Sequence, residues 1–287
     1  MPGGTGPYFP PFQPILSVAP TWKAPGALFV GGDFDLYRTN DCGMVWSRIP
    51  VKFSVGANVL RFVATDQTGG LFAVQMSAAG TSYFNWSPDD GKTWIGPGGH
   101  SRSVGQFAYF GKTYTLSVST GASPVAYVYA VPGRNLALPT LWRLNPGAEL
   151  WEDLGIQNPG IAAVDPVDGT IVYGGLGGPY LRRSVDGART FEPYTRSLCP
   201  EPTIPTGGLV SVSIEPDRSL FWMSVHAAGL YQSRDLGVTW QQIADPPDGE
   251  RLSQIAIDPF DHDAIYAVTV EGNLWRYRWD GKIAECT

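Results

Sequence analysis

Four aspartates, Asp41, Asp89, Asp186 and Asp235, share one setting. Each is third in an eight-residue segment of the form Ser/Thr-x-Asp-x-Gly-x-Thr-Trp/Phe: Thr39–Trp46, Ser87–Trp94, Ser184–Phe191 and Ser233–Trp240, with Val45 and Ala188 as departures. A carboxylate in such a place could act as a general acid or base, or ligate a metal. The neighbouring residue types describe a different task. Short Ser/Thr and Asp side chains bond nearby backbone N–H groups and hold a tight turn. Gly43, Gly91 and Gly237 suit a position of positive φ. Trp46, Trp94, Phe191 and Trp240 each close the segment with a large apolar plate that packs between sheets. Asp41, Asp89, Asp186 and Asp235 are therefore read as turn-stabilising residues, since a group that recurs from unit to unit is a structural one.

The spacing of these turns exposes the elements that carry them. The aspartates are 48, 97 and 49 residues apart, so a degraded copy lies in the double gap. Each segment follows a short strand that opens on Leu or Phe: Leu36-Tyr37-Arg38, Phe84-Asn85-Trp86, Leu181-Arg182-Arg183 and Leu230-Tyr231-Gln232. Leu141-Trp142-Arg143 marks the missing copy, with Pro146 in place of Asp and Trp151 ten residues on. Leu274-Trp275-Arg276 marks a sixth copy without the turn. Upstream, Ile161–Tyr173, Val212–Trp222 and Ile255–Tyr266 each read as an apolar strand, an Asp/Glu-Pro turn and a second apolar strand. Alternating apolar residues punctuated by Gly and Pro indicate antiparallel strands. The fold class expected is all-β: a β-propeller of about six four-stranded antiparallel blades, with seven as the alternative. The blades fall near 15–50, 58–97, 104–154, 159–195, 207–245 and 251–287, in a single domain spanning 15–287. Blade three, with Thr113–Ser119 and Ala126–Ala130, carries one strand more than the repeat needs.

The repeated segment resembles the Asp-box, or bacterial neuraminidase, repeat of sialidases, sortilin-type receptors, carbohydrate-active propellers, photosystem assembly factors and phage surface proteins. The resemblance covers nearly the whole chain after residue 15 and implies that the Asp boxes lie opposite the ligand face. A sialidase would further require three arginines on a carboxylate, a Tyr nucleophile with a Glu partner, and an Asp acid/base. The residues available for such roles are Arg61, Arg102, Arg251, Tyr180 and Glu250. Ser47-Arg48-Ile49-Pro50 matches a sialidase segment but follows the first box instead of preceding it. The expected ligand-side loops also hold Asp33, Asp35, Arg134, Arg196, His100 and His226, among runs of Gly, Pro, Ala and Ser poor in the paired carboxylates of glycoside hydrolysis. His100 and His226 are candidates for binding.

Residues 1–14 form a Pro/Gly-rich arm that favours extended polyproline-like backbone. Tyr8, Phe9 and Phe12 on that arm are candidate docking residues, because aromatics are costly to leave exposed. The net charge of −6 argues against general attraction to nucleic acid or anionic membranes. No apolar run is long enough to predict membrane insertion, and no spacing predicts a metal site or cofactor. Three cysteines, Cys42, Cys199 and Cys286, are no disulfide framework, and Cys199 reads as an ordinary loop thiol. No signal peptide is recognised at the start, which points to a virion or the cytoplasm. The function expected is a non-enzymatic binding or structural module, such as a phage tail or capsid accessory or a surface-assembly component. Its partners would be protein subunits or surface glycan. A sialidase-like hydrolase and a cytoplasmic assembly factor are the alternatives.

Overall fold

The computed structural model describes residues 14–32, 35–49, 58–77, 82–95, 109–110, 113–119, 121, 123–131, 138–146, 148, 151–157, 160–175, 180–199, 209–215, 217, 220–225 and 228–279. Six sheets follow one another along the chain. The first is β1 (Ile15–Pro20), β2 (Leu28–Gly32), β3 (Leu36–Thr39) and β4 (Ser47–Ile49). The second is β5 (Asn58–Thr65), β6 (Leu71–Ser77), β7 (Ser82–Ser87) and β8 (Tyr109–Phe110). The third is β9 (Thr113–Val118), β10 (Ala126–Ala130), β11 (Thr140–Leu144) and β12 (Glu152–Asp153). The fourth is β13 (Ile161–Val164), β14 (Val172–Gly174), β15 (Arg182–Ser184) and β16 (Glu192–Pro193). A short strand, β17 (Ser197–Cys199), precedes the fifth sheet of β18 (Leu209–Ile214), β19 (Phe221–Val225), β20 (Gly229–Ser233) and β21 (Thr239–Ala244), and joins its outer edge in parallel. The sixth is β22 (Leu252–Ile257), β23 (Ala264–Thr269) and β24 (Leu274–Arg278). This repetition of antiparallel meanders is a β-propeller of six blades. The chain divides into two compact units, one with blades one to three and one with blades four to six.

Two expectations need correction. Blade three has no surplus strand. Thr113–Val118 and Ala126–Ala130 are its ordinary first and second strands. The displaced element belongs to blade two, whose outer edge is split between a single bridge, Trp86 to Ile95, and the two-residue β8. Blade two therefore runs on to Phe110, past the boundary at 97 that the box alone suggests. The second correction is Cys199, which is disulfide-bonded to a partner outside the described residues, while Cys42 is free.

The Leu-x-Arg signature has a physical basis. Its first residue points inward: Leu36, Phe84, Leu141, Leu181, Leu230 and Leu274 are all buried. Its third residue lies opposite an aromatic on the second strand, in the pairs Phe29–Arg38, Tyr127–Arg143, Tyr173–Arg183 and Tyr266–Arg276. The guanidinium sits 5.4 Å from the Phe29 ring in blade one and 5.9 Å from the Tyr266 ring in blade six, within cation–π range. In blade three Arg143 also grips Glu152 of the outer strand at 3.1 and 2.6 Å. Blades two and five depart from this row, with Phe72–Trp86 and Trp222–Gln232.

Within each unit, serines tie neighbouring inner strands. Ser17 Oγ accepts the Val63 N–H at 2.9 Å, joining β1 to β5. Ser211 and Ser213 accept the N–H groups of Ile255 and Ile257 at 3.2 and 3.0 Å, joining β18 to β22. Aromatic plates fill the seams. Trp94 packs with Phe29 and Leu36 of blade one. Trp151 meets Phe84 edge-on at 4.8 Å, and Trp240 lies with Tyr173 and Leu181 of blade four.

Candidate functional site

Each blade is an up-and-down meander, so its turns divide between two ends. One end holds the turns joining first to second and third to fourth strands. The other holds the turns joining second to third strands and the blade-to-blade loops. The four repeated aspartates lie at the first end. In the blade-five turn Ser233 Oγ donates to Asp235 at 2.8 Å while accepting the Gly237 N–H at 2.8 Å. Asp235 then takes the Thr239 N–H at 2.8 Å and its hydroxyl at 2.6 Å. The same set holds Asp89 through Ser87 and Thr93, and Asp186 through Ser184 and Thr190. Asp41 has Thr39 and the Val45 N–H, and Val45 has no hydroxyl to offer.

Each of these turns needs two consecutive residues at positive φ: Cys42 and Gly43, Asp90 and Gly91, Gly187 and Ala188, Leu236 and Gly237. Blade four reverses the order, so Ala188 takes the position that glycine holds elsewhere, at φ 68°.

These hydrogen bonds hold all four carboxyls below the usual carboxylate range. The Thr39 hydroxyl contributes most at Asp41, the Thr93 N–H at Asp89 and the Thr190 hydroxyl at Asp186. At Asp235 burial pushes upward, and the bonds from Thr239 outweigh it. A carboxylate so stabilised is a poor proton donor near neutral pH.

The same end contains a second repeated acid, which the Asp/Glu-Pro pattern signalled at Asp165 and Asp258 without its role and which recurs at Asp66 without the proline. Asp66 accepts the N–H groups of Thr68 and Gly70 at 2.8 and 2.9 Å. Asp165 accepts those of Val167 and Asp168, both at 2.9 Å. Asp258 accepts the Phe260 N–H at 3.1 Å, the Tyr266 hydroxyl at 3.1 Å and Arg276 at 3.2 Å. All three acids are buried and close the hairpin that starts each of these blades.

At the opposite end, Glu250, Arg251 and Asp35 are also bound into the scaffold. Glu250 enters blade six and accepts from Asn273 Nδ2 at 2.6 Å and Trp275 Nε1 at 3.4 Å. Arg251 pairs with Glu271 at 3.5 Å, and its carbonyl accepts the Val270 N–H at 2.8 Å. Residues 250 and 251 thus pin the loop entering blade six to the turn between β23 and β24. In blade one Asp35 takes Arg48 at 2.6 Å and the Tyr37 hydroxyl at 3.5 Å. Burial, and then the Asp35 charge, push the Tyr37 hydroxyl above its ordinary value. Tyr180 is partly exposed at the start of β15. Arg196 is not on this loop side: its N–H donates to Val238 O at 2.8 Å, beside the blade-five turn.

Arg61 lies on β5, with its side chain outside the described residues. Tyr8, Phe9, Phe12, Asp33, His100, Arg102, Arg134 and His226 also lie outside them. Glu250 and Arg251 are adjacent, yet each is turned to a different structural partner. Among the described residues, no three His, Cys, Asp or Glu side chains are grouped to hold a metal ion. The Glu250 clamp was missed because its partners are 23 and 25 residues downstream.

No family model and no curated protein matches the chain. Solved structures do. YCF48 bound to a D1 peptide shares 20% identity over 93% of this chain and 79% of its own, with a TM-score of 0.53. The GH74 enzyme of Niastella koreensis shares 16% identity over 95% of this chain and 38% of its own, with a TM-score of 0.55, so this chain spans about two fifths of that enzyme. A putative gluconolactonase shares 13% identity over 99% of this chain and 95% of its own, with a TM-score of 0.63. At such identities the likeness is one of fold: the chain shares a β-propeller architecture with both peptide-binding and enzymatic proteins.

Proposed function

We propose that this chain is a non-catalytic propeller of the Asp-box type that binds protein and serves as a component of a larger assembly. The observation that supports the reading is the state of the loop-side ionisable groups. Glu250, Arg251 and Asp35 are each engaged by a neighbouring side chain of the scaffold. A general acid or nucleophile needs a tuned group facing substrate, and these face their own blade. The peptide bound to YCF48 shows that a similar fold holds a protein ligand. A place in a virion, as a tail or capsid accessory, or in another surface assembly is the setting we favour, with glycan as a second ligand class.

The test combines two measurements on the full chain. Native mass spectrometry of complexes isolated from the source should find it in a fixed stoichiometric assembly. The purified protein should release no sugar from sialylated or β-glucan substrates and open no lactone. A free monomer that turns over any of these substrates overturns the reading.

A further inference from the structure

We propose that blade five encloses an internal hydration site, in which a water molecule accepts hydrogen bonds from Trp222 Nε1 and Gln232 Nε2. In blades one, three, four and six the corresponding row pairs an aromatic ring with arginine. Blade five replaces that pair with Trp222 and Gln232, directly opposite each other on β19 and β20. Both side chains are buried, Trp222 completely. The Gln232 carbonyl oxygen accepts from Arg234 Nε at 3.3 Å, which fixes the amide nitrogen as the remaining donor. Among the described residues, neither that nitrogen nor the Trp222 indole nitrogen has a hydrogen-bond partner. Ser224 Oγ, two residues along the same face of β19, is also buried without one.

This face is the inner side of a seam. The other face of β19 and β20, with Phe221, Met223 and Tyr231, packs on Tyr173 and Leu181 of blade four. On its remaining side β19 packs against β22 of blade six. Bulk solvent therefore does not reach the two nitrogens, and buried polar groups in native proteins are bonded to protein or to ordered water.

The chemistry selects the occupant. An indole N–H and an amide N–H can only donate here. What fits is a small group able to accept two hydrogen bonds. Water does so with its lone pairs and keeps two hydrogens for Ser224 Oγ or a strand carbonyl, within the two to four bonds typical of buried water. An anion could also accept twice, but the nearby Arg234 guanidinium is turned to the Gln232 carbonyl oxygen and the Trp279 ring, and a buried charge without a cation of its own is costly.

The experiment is a water-selective nuclear Overhauser measurement on the full chain labelled with 15N-tryptophan, the Trp222 indole signal being identified by its loss in Trp222→Phe or, should that variant not fold, by backbone-linked assignment. The Trp222 indole proton should show a cross-peak to water with the sign of a long-lived bound molecule. Trp240 is the internal control: it is equally buried, but its Nε1 donates to Gly237 O at 2.9 Å and Thr195 Oγ1 at 3.1 Å, so it should show none. A high-resolution crystal structure should place one density peak within hydrogen-bonding distance of both nitrogens. A Trp222 indole proton as silent as that of Trp240, or density in which either nitrogen meets a protein oxygen instead, overturns the proposal.

Discussion

Asp235 and its counterparts are ionised residues whose bonds exist only for the carboxylate. Their folded pKa values lie below the ordinary carboxylate value of about 3.9. Their contribution is therefore complete above that value and fades as pH falls through the lower folded one. Asp235→Asn should lower the melting temperature by about 2–4 °C at pH 7. The gap to the parent should narrow as the pH falls through the lowered folded pKa of Asp235 and the parent aspartate becomes protonated too. Parallel thermal melts across that range check it, and a gap that persists unchanged at low pH would refute the assignment. Arg276→Met makes a different claim. It leaves the buried Asp258 with Tyr266 and the Phe260 N–H but without its cation. The expected loss is about 2 kcal/mol in urea denaturation. The turn residues were legible in the sequence because their bonds span only two to four positions. Glu250 and Cys199 were not, because their partners are distant in the chain and no local pattern marks them.

At the scale of the element, the repeat located the third strand of every blade, since that strand opens on a buried Leu or Phe and, in blades one, three, four and six, sets an arginine against an aromatic. It misplaced the edge of blade two, where two residues at Tyr109–Phe110 suffice for pairing and carry too little pattern to read. Turn geometry gives a discriminating pair of substitutions. Gly229 opens β20 at φ 97°, and an added Cβ would lie 2.1 Å from the backbone oxygen of Ala244, which cannot move aside without breaking the β20–β21 ladder. Gly249 has φ 74° but open space around it. Gly229→Ala should cost about 3 kcal/mol or more, whereas Gly249→Ala should cost about 1 kcal/mol from backbone strain alone. Equal melting temperatures for the two variants would contradict the packing described at β20.

For the whole molecule, composition and spacing sufficed to establish an all-β propeller of six blades, because a period near 48 residues with Gly/Pro punctuation admits few architectures. The ligand-side chemistry was far less legible. Its loops carry no repeated spacing, and their ionisable residues take roles that depend on which blade turn folds back on them. The disulfide is the feature with the most direct chemical readout. Alkylation of the native, unreduced chain should modify Cys42 and spare Cys199, and prior reduction should make Cys199 reactive, as peptide mass mapping would show. Labelling of Cys199 without reductant would contradict the bond.

The parallel strand β17 also bears on the order in which the chain can fold. Ser197 pairs with Thr239, and Leu198, buried in the blade-five core, pairs with Trp240. β17 leaves the ribosome before any other strand of that sheet, yet its partner is the last strand of the sheet to emerge. It must wait unpaired through the synthesis of some forty residues, a separation that slows pairing by the entropy of closing the loop. A chain arrested before Thr239 would hold Leu198 without the strand it pairs with. The outer edge of blade five is thus sealed last, and the sealing strand reports that the blade behind it has been completed.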